Sequence, residues 1–210
     1  TDLANVLGNL VSRTVAMITK YFGGSVAKSL PQNEQGVDGE FKALATETVK
    51  KVIQKADALR IADAISEIFT LLRRANKYID ETTPWTLAKD ETQRVRLGTV
   101  LYNLLEAIRF GAVLLKPFIP ETAEEILSLL ATDAKGYDTV NSVEKFGALK
   151  AGEVVGDSRV MFARADEEKM LAELEAEMAA KRAAAEAAAK ADEIPEKPEG
   201  CALIGIEDFM

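Results

Sequence analysis

The chain has 210 residues, 48% of them apolar and 29% charged, which is enough to fold around a sizeable core. It carries 26 basic and 34 acidic residues, no histidine and a single cysteine, Cys201. Those counts exclude a Ser-His-Asp or Cys-His nucleophile, a His/Cys zinc site and an intrachain disulfide. Nothing in them suggests secretion, and no apolar stretch reads as a bilayer span. The opening TDLANVLGNL has neither a basic n-region nor an apolar h-region, so it is not a signal peptide. It reads as mid-helix, and the ending GIEDFM reads as a strand without a closing turn. The expectation is a piece of a longer protein. The charge is unevenly spread. Residues 166–199 hold 11 acidic and 5 basic residues, whereas residues 1–165 hold 21 of each and are neutral.

In chain order, Leu3, Val6, Leu7, Leu10, Val11, Ile18 and Phe22 recur at spacings of three and four and predict an amphipathic helix over residues 2–22. Gly23-Gly24 stops it, and residues 25–37, with Pro31, Asn33 and Gly36, read as a loop. Asp38 is placed to cap a second helix that buries Phe41, Leu44, Val49, Val52 and Ile53. A third helix is expected from about Ala58 to Asp80, with Leu59, Ala62, Ile65, Ile68, Phe69, Leu72 and Ile79 inward. Thr83-Pro84-Trp85 interrupts it: Thr83 suits an N-cap and Pro84 the first turn of a short helix. The fourth long helix, residues 91–115, is expected to bury Val95, Leu97, Val100, Leu101, Leu104, Leu105 and Ile108.

After a corner at Pro117 and Pro120 comes a short helix at 121–130, burying Ile126, Leu127 and Leu130. Residues 131–164 are less periodic, with strand-like pieces at 153–155 and 159–162. Residues 166–190 are rich in Ala, Glu and Lys and predict an exposed helix with a thin seam of Met170, Leu171, Leu174 and Met178. DEIPEKPEG reads as a linker. The resulting fold class is all-α: an antiparallel bundle of about five helices with an outlying sixth. No strand–helix alternation, G-x-G-x-x-G or P-loop is present to bind a nucleotide on a sheet.

No catalytic or metal-binding set emerges. Adjacent carboxylates such as Glu124 and Glu125 diverge on a helix, and Glu121 sits where a first helical turn favours a negative charge. Three residues stand out instead. Asn9 and Arg13 are four apart, so an amide and a guanidinium share one helix face beside the core stripe. Together they offer donors and acceptors matched to base edges. Trp85, the only tryptophan, follows a proline at a helix entry, where an indole can stack on an unpaired base. Each also has a plain structural reading. Asn9 could cross-link helices, Arg13 could pair with a surface carboxylate, and Trp85 could cap the core.

These residues lie in stretches that resemble a known family. N-K-Y-I-D-E-T-T-P-W-T-L-A-K-D, from Asn76 to Asp90, is similar to the characteristic segment of the anticodon-binding domain of methionyl-tRNA synthetases. D-L-A-N-V-L-G-N-L-V-S-R, Asp2 to Arg13, resembles that domain's first helix, and K-P-F-I-P-E-T-A-E-E-I, Lys116 to Ile126, a later one. I-G-I-E-D-F-M resembles the first strand of the oligonucleotide-binding-fold module that follows in many bacterial members. R-V-M-F-A-R, residues 159–164, replaces the family's Pro-Leu-Phe-Pro-Arg-like run.

The resemblance implies a helical domain of the class I synthetase anticodon-binding type over residues 1–164. A helix and linker then occupy 165–199, and the truncated start of a tRNA-binding domain occupies 200–210. It implies that Asn9 and Arg13 read anticodon bases and that Trp85 stacks on the first of them. The implied partners are the initiator and elongator methionine tRNAs, the parent's catalytic domain and a second copy through the missing C-terminal domain. No membrane is implied, and the implied setting is cytoplasmic. The catalytic H-I-G-H-like and K-M-S-K-S-like motifs are absent, so ATP and methionine belong to a domain outside this chain, which carries no cofactor of its own and should be inactive alone. Two alternatives remain: the related helical domain of a cysteinyl, leucyl, isoleucyl or valyl synthetase, and a non-enzymatic scaffold that docks a protein through the acidic helix.

Overall fold

The computed structural model describes residues 2–27, 34–132, 136–149, 151–153, 171–172 and 174–182. It divides into two compact units, Thr1–Ala163 and Arg164–Met210. In the first, a wide π-wound turn, Leu3–Gly8, runs directly into α1, Asn9–Phe22. Leu7, Leu10, Val11 and Ile18 are buried, as the spacing predicts, and so is Val15; Val6 and Phe22 are half-buried, while Leu3, expected on the same stripe, is exposed at the start of the turn. Gly23 ends α1 in the left-handed region at φ 61°, donating its N–H to Thr19 O, a conformation that costs glycine little.

The segment after that glycine differs from its reading as loop. Ser25–Ala27 forms β1, paired antiparallel with β2, Ala151–Glu153, in the register Ser25–Glu153, Val26–Gly152 and Ala27–Ala151. A three-residue strand whose partner lies more than a hundred positions away leaves no local signal. Of the two strand-like pieces expected, 153–155 overlaps β2 at one residue and 159–162 lies outside the described residues.

Helix α2 spans Gly36–Asp57 and α3 spans Ile61–Thr82. Asp38 does not cap α2 from outside. Gln35 is the N-cap, and Asp38 sits in the first turn and accepts the Gln35 N–H at 2.8 Å. Around the α2–α3 connection three residues expected inward are exposed. Leu59 is 85% exposed at φ 58°, and Ile53 faces solvent at the end of α2; Ala62 is exposed as well. The apolar periodicity simply ran on past the point where the chain turns.

Pro84–Leu87 is a one-turn helix, α4. A 3₁₀ turn, Glu91–Gln93, leads into α5, Arg94–Leu115, and Pro120–Leu129 forms α6. Val95, at the exposed start of α5, is 55% exposed rather than buried. From Arg96 onward α5 is the axis of the unit, packing on α1, α2, α3 and α6 and buried on nearly every side. With its preceding turn it is apolar and long enough to cross a membrane by composition, contrary to the sequence reading. It is nevertheless wholly enclosed by the bundle, as a core helix is.

Two polar clusters ride on this buried helix. Asp38 of α2 accepts bonds from both Arg96 guanidinium nitrogens, one of them at 3.0 Å, and from the Tyr78 hydroxyl at 2.5 Å. Asn103 donates to that hydroxyl at 3.2 Å, and Tyr78 stacks on Phe41 with centroids 4.5 Å apart. Lower on α5, Arg109 bonds Glu106 at 2.7 Å and also donates to Ser142 Oγ and the Tyr137 carbonyl. Tyr102 donates to Leu149 O at 2.6 Å, and Glu106 accepts the Leu149 N–H. The segment 136–149, which includes a 3₁₀ turn at Val140–Val143, is thus tied to the bundle by polar bonds as well as by the buried Val143 and Leu149 and by Phe146 against Phe41 and Phe110.

In the second unit, residues 171–172 and 174–182 are helical and expose Leu171, Leu174 and Met178. Met170, the linker and the segment 200–210 lie outside the described residues.

Candidate nucleic-acid interface

The site is built from α1 and the break between α3 and α4. Asn9 and Arg13 occupy successive turns at the start of α1, while Leu10 and Val11 between them are buried and fix the rotation of the helix. Asn9 is exposed. Arg13 keeps 35% of its side chain exposed.

Trp85 is positioned by the backbone reversal ahead of it. Thr83 adopts φ 42° and ψ 60°, a left-handed conformation rare for a β-branched residue and worth about 1–3 kcal/mol of strain. Its N–H still bonds Ile79 O at 2.9 Å, and its carbonyl accepts from Thr86 and Leu87. Thr83 does stand at the N-cap of α4, but its hydroxyl makes no cap bond; the buried Pro84 fixes the first helical position instead. With Pro84 buried, Trp85 turns outward and is 42% exposed.

The fold brings Arg13 and Trp85 together. The Arg13 guanidinium carbon lies 6.0 Å from the indole centroid, the outer reach of a cation–π contact. A guanidinium nitrogen lies 3.6 Å from Asp80 Oδ1, near the end of α3. Arg13 therefore rests between a carboxylate and an aromatic face, both of them partly in water, where neither contact holds it strongly. Asn9 stands one turn nearer the start of α1, on the same face as Arg13. The arrangement places an aromatic plate, a planar fork of donors and an amide along one exposed edge.

Next to it lies a cleft of about 170 Å³ lined by Lys20, Tyr21, Leu87, Ala88, Asp90, Glu91, Arg94 and Leu97. Arg94 reaches back to Tyr21 O at 3.3 Å and covers the Phe22 ring at 4.9 Å. Lys20 lies seven residues beyond Arg13 on α1, a spacing that returns to the same face and was the one sequence signal available for it. Asp90 accepts the Thr92 N–H and hydroxyl at 2.9 and 2.7 Å, and those bonds hold its carboxyl below the usual aspartate range. Among the described residues no group of three or more Asp, Glu or Cys side chains is placed to hold a metal ion.

Comparison with known families bears on this geometry. The family described as the anticodon binding domain of methionyl tRNA ligase matches residues 31–183. The chain belongs to that family. The matched span contains α2 to α6 and Trp85, while α1 with Asn9 and Arg13 precedes it. The methionine–tRNA ligase of Clostridium perfringens is 51% identical over 176 residues, covering 84% of this chain and 26% of that protein. That of Halalkalibacterium halodurans is 39% identical over 209 residues, covering 99% of this chain and 30% of that protein.

Among solved structures, the apo form of Mycobacterium tuberculosis methionyl-tRNA synthetase superposes with a TM-score of 0.72 at 32% identity, covering 79% of this chain and 33% of that one. The chain thus spans between a quarter and a third of the methionine–tRNA ligases it matches, and corresponds to their anticodon-binding part. A methionyl-tRNA ligase anticodon-binding domain fits the all-helical core predicted from the sequence, with the β1–β2 ribbon as an addition.

Proposed function

We propose that this domain selects methionine tRNA by its anticodon, for a parent methionine–tRNA ligase whose catalytic domain uses ATP and methionine. The observation that carries the reading is the half-exposed indole of Trp85 with the Arg13 guanidinium 6.0 Å from its centroid. An exposed tryptophan is costly in apolar area left in water, and a base stacked on it removes that area.

In this reading the anticodon loop unstacks over the edge formed by α1 and α4. Trp85 replaces a base–base stack, worth about 1–3 kcal/mol. Asn9 and Arg13 then meet base edges, each good pair adding about 1–3 kcal/mol of discrimination. Arg13 is prepared for this because its two resting contacts are weak and solvent-facing, so little is lost when the guanidinium turns to a base. The parent would act in the cytoplasm, and a second copy would associate through a further C-terminal domain. The overall neutrality of residues 1–165 favours recognition by stacking and hydrogen bonding over phosphate contacts.

The test is tRNA binding by the intact ligase carrying Trp85→Ala or Arg13→Ala, using transcripts with the CAU anticodon that pairs with the methionine codon and with each base changed in turn. Each variant is expected to bind the CAU transcript about tenfold or more weakly and to narrow its margin over altered anticodons. Discrimination equal to the wild type in both variants would remove the reading.

A further inference from the structure

We infer that the cleft beside Trp85 is a phosphate subsite: Lys20 and Arg94 hold one backbone phosphate of the anticodon loop, next to the base that stacks on the indole. The inference rests on the anticodon reading above, which supplies the stacked base. The location follows from the helices. Lys20 lies seven residues, or about 10 Å, beyond Arg13 on the same face of α1, and Leu87 and Ala88 follow Trp85 closely in α4 and its end. The cleft therefore opens where the nucleotide adjoining a base on Trp85 would pass. Its volume of about 170 Å³ is below the range of pockets that enclose a whole small ligand, and suits a phosphate group with its water.

The side chains favour an anion over a second base. Tyr21 lines the cleft and Phe22 follows it, and each ring is already met by a cation. The Lys20 ammonium lies 5.4 Å from the Tyr21 centroid, and the Arg94 guanidinium carbon 4.9 Å from that of Phe22. The cleft thus presents cations where a stacking site would present a ring. Most lysines and arginines of this unit are held by carboxylates, as Arg13 is by Asp80, Arg74 by Glu81, Arg96 by Asp38 and Lys116 by Asp138. Lys20 and Arg94 make no ion pair among the described residues, although Asp90 and Glu91 line the same cleft. Asp90 instead turns Oδ1 to the Thr92 N–H and hydroxyl. Arg94 donates one guanidinium nitrogen to Tyr21 O at 3.3 Å, which steadies the group over Phe22. A phosphate would give both cations charge-assisted bonds. The two carboxylates keep the cleft near neutral, so it does not gather anions from solution, and the stack on Trp85 has to bring the phosphate to it. A single phosphate held in this way agrees with the zero net charge of residues 1–165.

The experiment uses the intact ligase with Lys20→Ala, Arg94→Ala and both together, and titrates the CAU transcript and its base-changed forms at several salt concentrations. The double variant is expected to bind every transcript about tenfold more weakly, by the same factor, so that the preference for CAU is kept. Its slope of log affinity against log salt is expected to be shallower by about 0.7, the value of one phosphate contact on a single strand. In a Trp85→Ala background the same pair of changes adds less than about twofold, since the stack delivers the phosphate. A second readout uses CAU stem-loops in which one loop phosphate at a time is replaced by a neutral methylphosphonate. Wild type is expected to lose about tenfold at one position beside the stacked base, and the double variant to lose nothing further there. Arg94 also bonds Tyr21 O, so Lys20→Ala, a change to an exposed side chain, carries both readouts if the Arg94 variants do not fold. An unchanged salt slope, a loss confined to particular anticodons, a full tenfold loss persisting in the Trp85→Ala background, or equal methylphosphonate sensitivity in wild type and variant would overturn the subsite. Failure of the anticodon reading looks different: Arg13→Ala and Trp85→Ala would themselves leave discrimination intact.

Discussion

Asp38 has no exposed surface, yet it carries a charge that three partners share. Burial pushes its carboxyl upward. Bonds from Arg96, Tyr78 and the Gln35 N–H more than reverse this and hold it below the ordinary value of 3.8. Burial likewise pushes the Tyr78 hydroxyl up, and its bond to Asp38 adds to the effect, so Tyr78 stays a neutral donor. Replacing Asp38 by Asn leaves Arg96 buried without its counter-charge, at a cost of about 3–5 kcal/mol at neutral pH. Because the folded state holds Asp38 ionised more firmly than the unfolded chain does, its contribution is complete above pH 3.8. It is lost as the pH falls below that value through the folded pKa. Denaturant unfolding of wild type and Asp38→Asn at pH 7 and in acid should give a gap that shrinks on acidification. A gap that is constant or widens would contradict the assignment. The same residue marks where sequence reading stopped short. An aspartate near a helix start looks like a cap, and only the partner in α5, 58 positions away, makes it the centre of a buried network.

Among elements, α5 is the least legible in its faces and the most constrained by its neighbours. Helices α1 and α3 show their buried stripes in the spacing of their apolar residues, because each turns one side to water. A helix enclosed on all sides has no such stripe, so periodicity could locate α5 but not say what surrounds it. Its Gly111 shows what does. A Cβ built there would lie 2.7 Å from Leu72 Cδ2 of α3, a side chain that is itself fully buried and has little room to swing. Gly111→Ala gains about 1 kcal/mol in helix propensity but overpacks this contact, typically at a cost of about 1–3 kcal/mol. The net expectation is a modest loss of stability by thermal or denaturant unfolding. In a Leu72→Ala background, where the obstructing methyl groups are gone, the same change should stabilise. Destabilisation of equal size in both backgrounds would show that the α3–α5 approach is not what requires glycine. The short elements were illegible for a different reason. β1 and β2 are three residues each, and the ties of 136–149 to Glu106 and Arg109 are polar bonds that leave no periodic trace.

At the scale of the molecule, the acidity belongs to residues beyond 165, while the unit Thr1–Ala163 contains every residue of the proposed interface. Deleting residues 164–210 should therefore leave anticodon preference intact, which titration of a CAU stem-loop against base-changed loops can measure. Loss of preference would favour the acidic helix as the recognition element. A neutral binding unit also offers few Lys or Arg contacts to release counterions from the RNA. The 210-residue chain is expected to bind methionine tRNA weakly, well above nanomolar dissociation constants at physiological salt. Nanomolar binding there would reveal phosphate contacts that the charge balance does not suggest.

The helices, their stops at Gly23 and Pro84, and the three residue types at Asn9, Arg13 and Trp85 were all fixed by local chemistry, since periodicity, capping and side-chain character act within a few residues of chain. Whether Arg13 and Trp85 meet was not a local matter. It depended on the left-handed turn at Thr83, the burial of Pro84 and the grip of α3 on the start of α1, each a contact between segments some seventy positions apart or a backbone state that only packing can impose. Side-chain identity is written residue by residue; the distance between an indole and a guanidinium is decided only when helices pack.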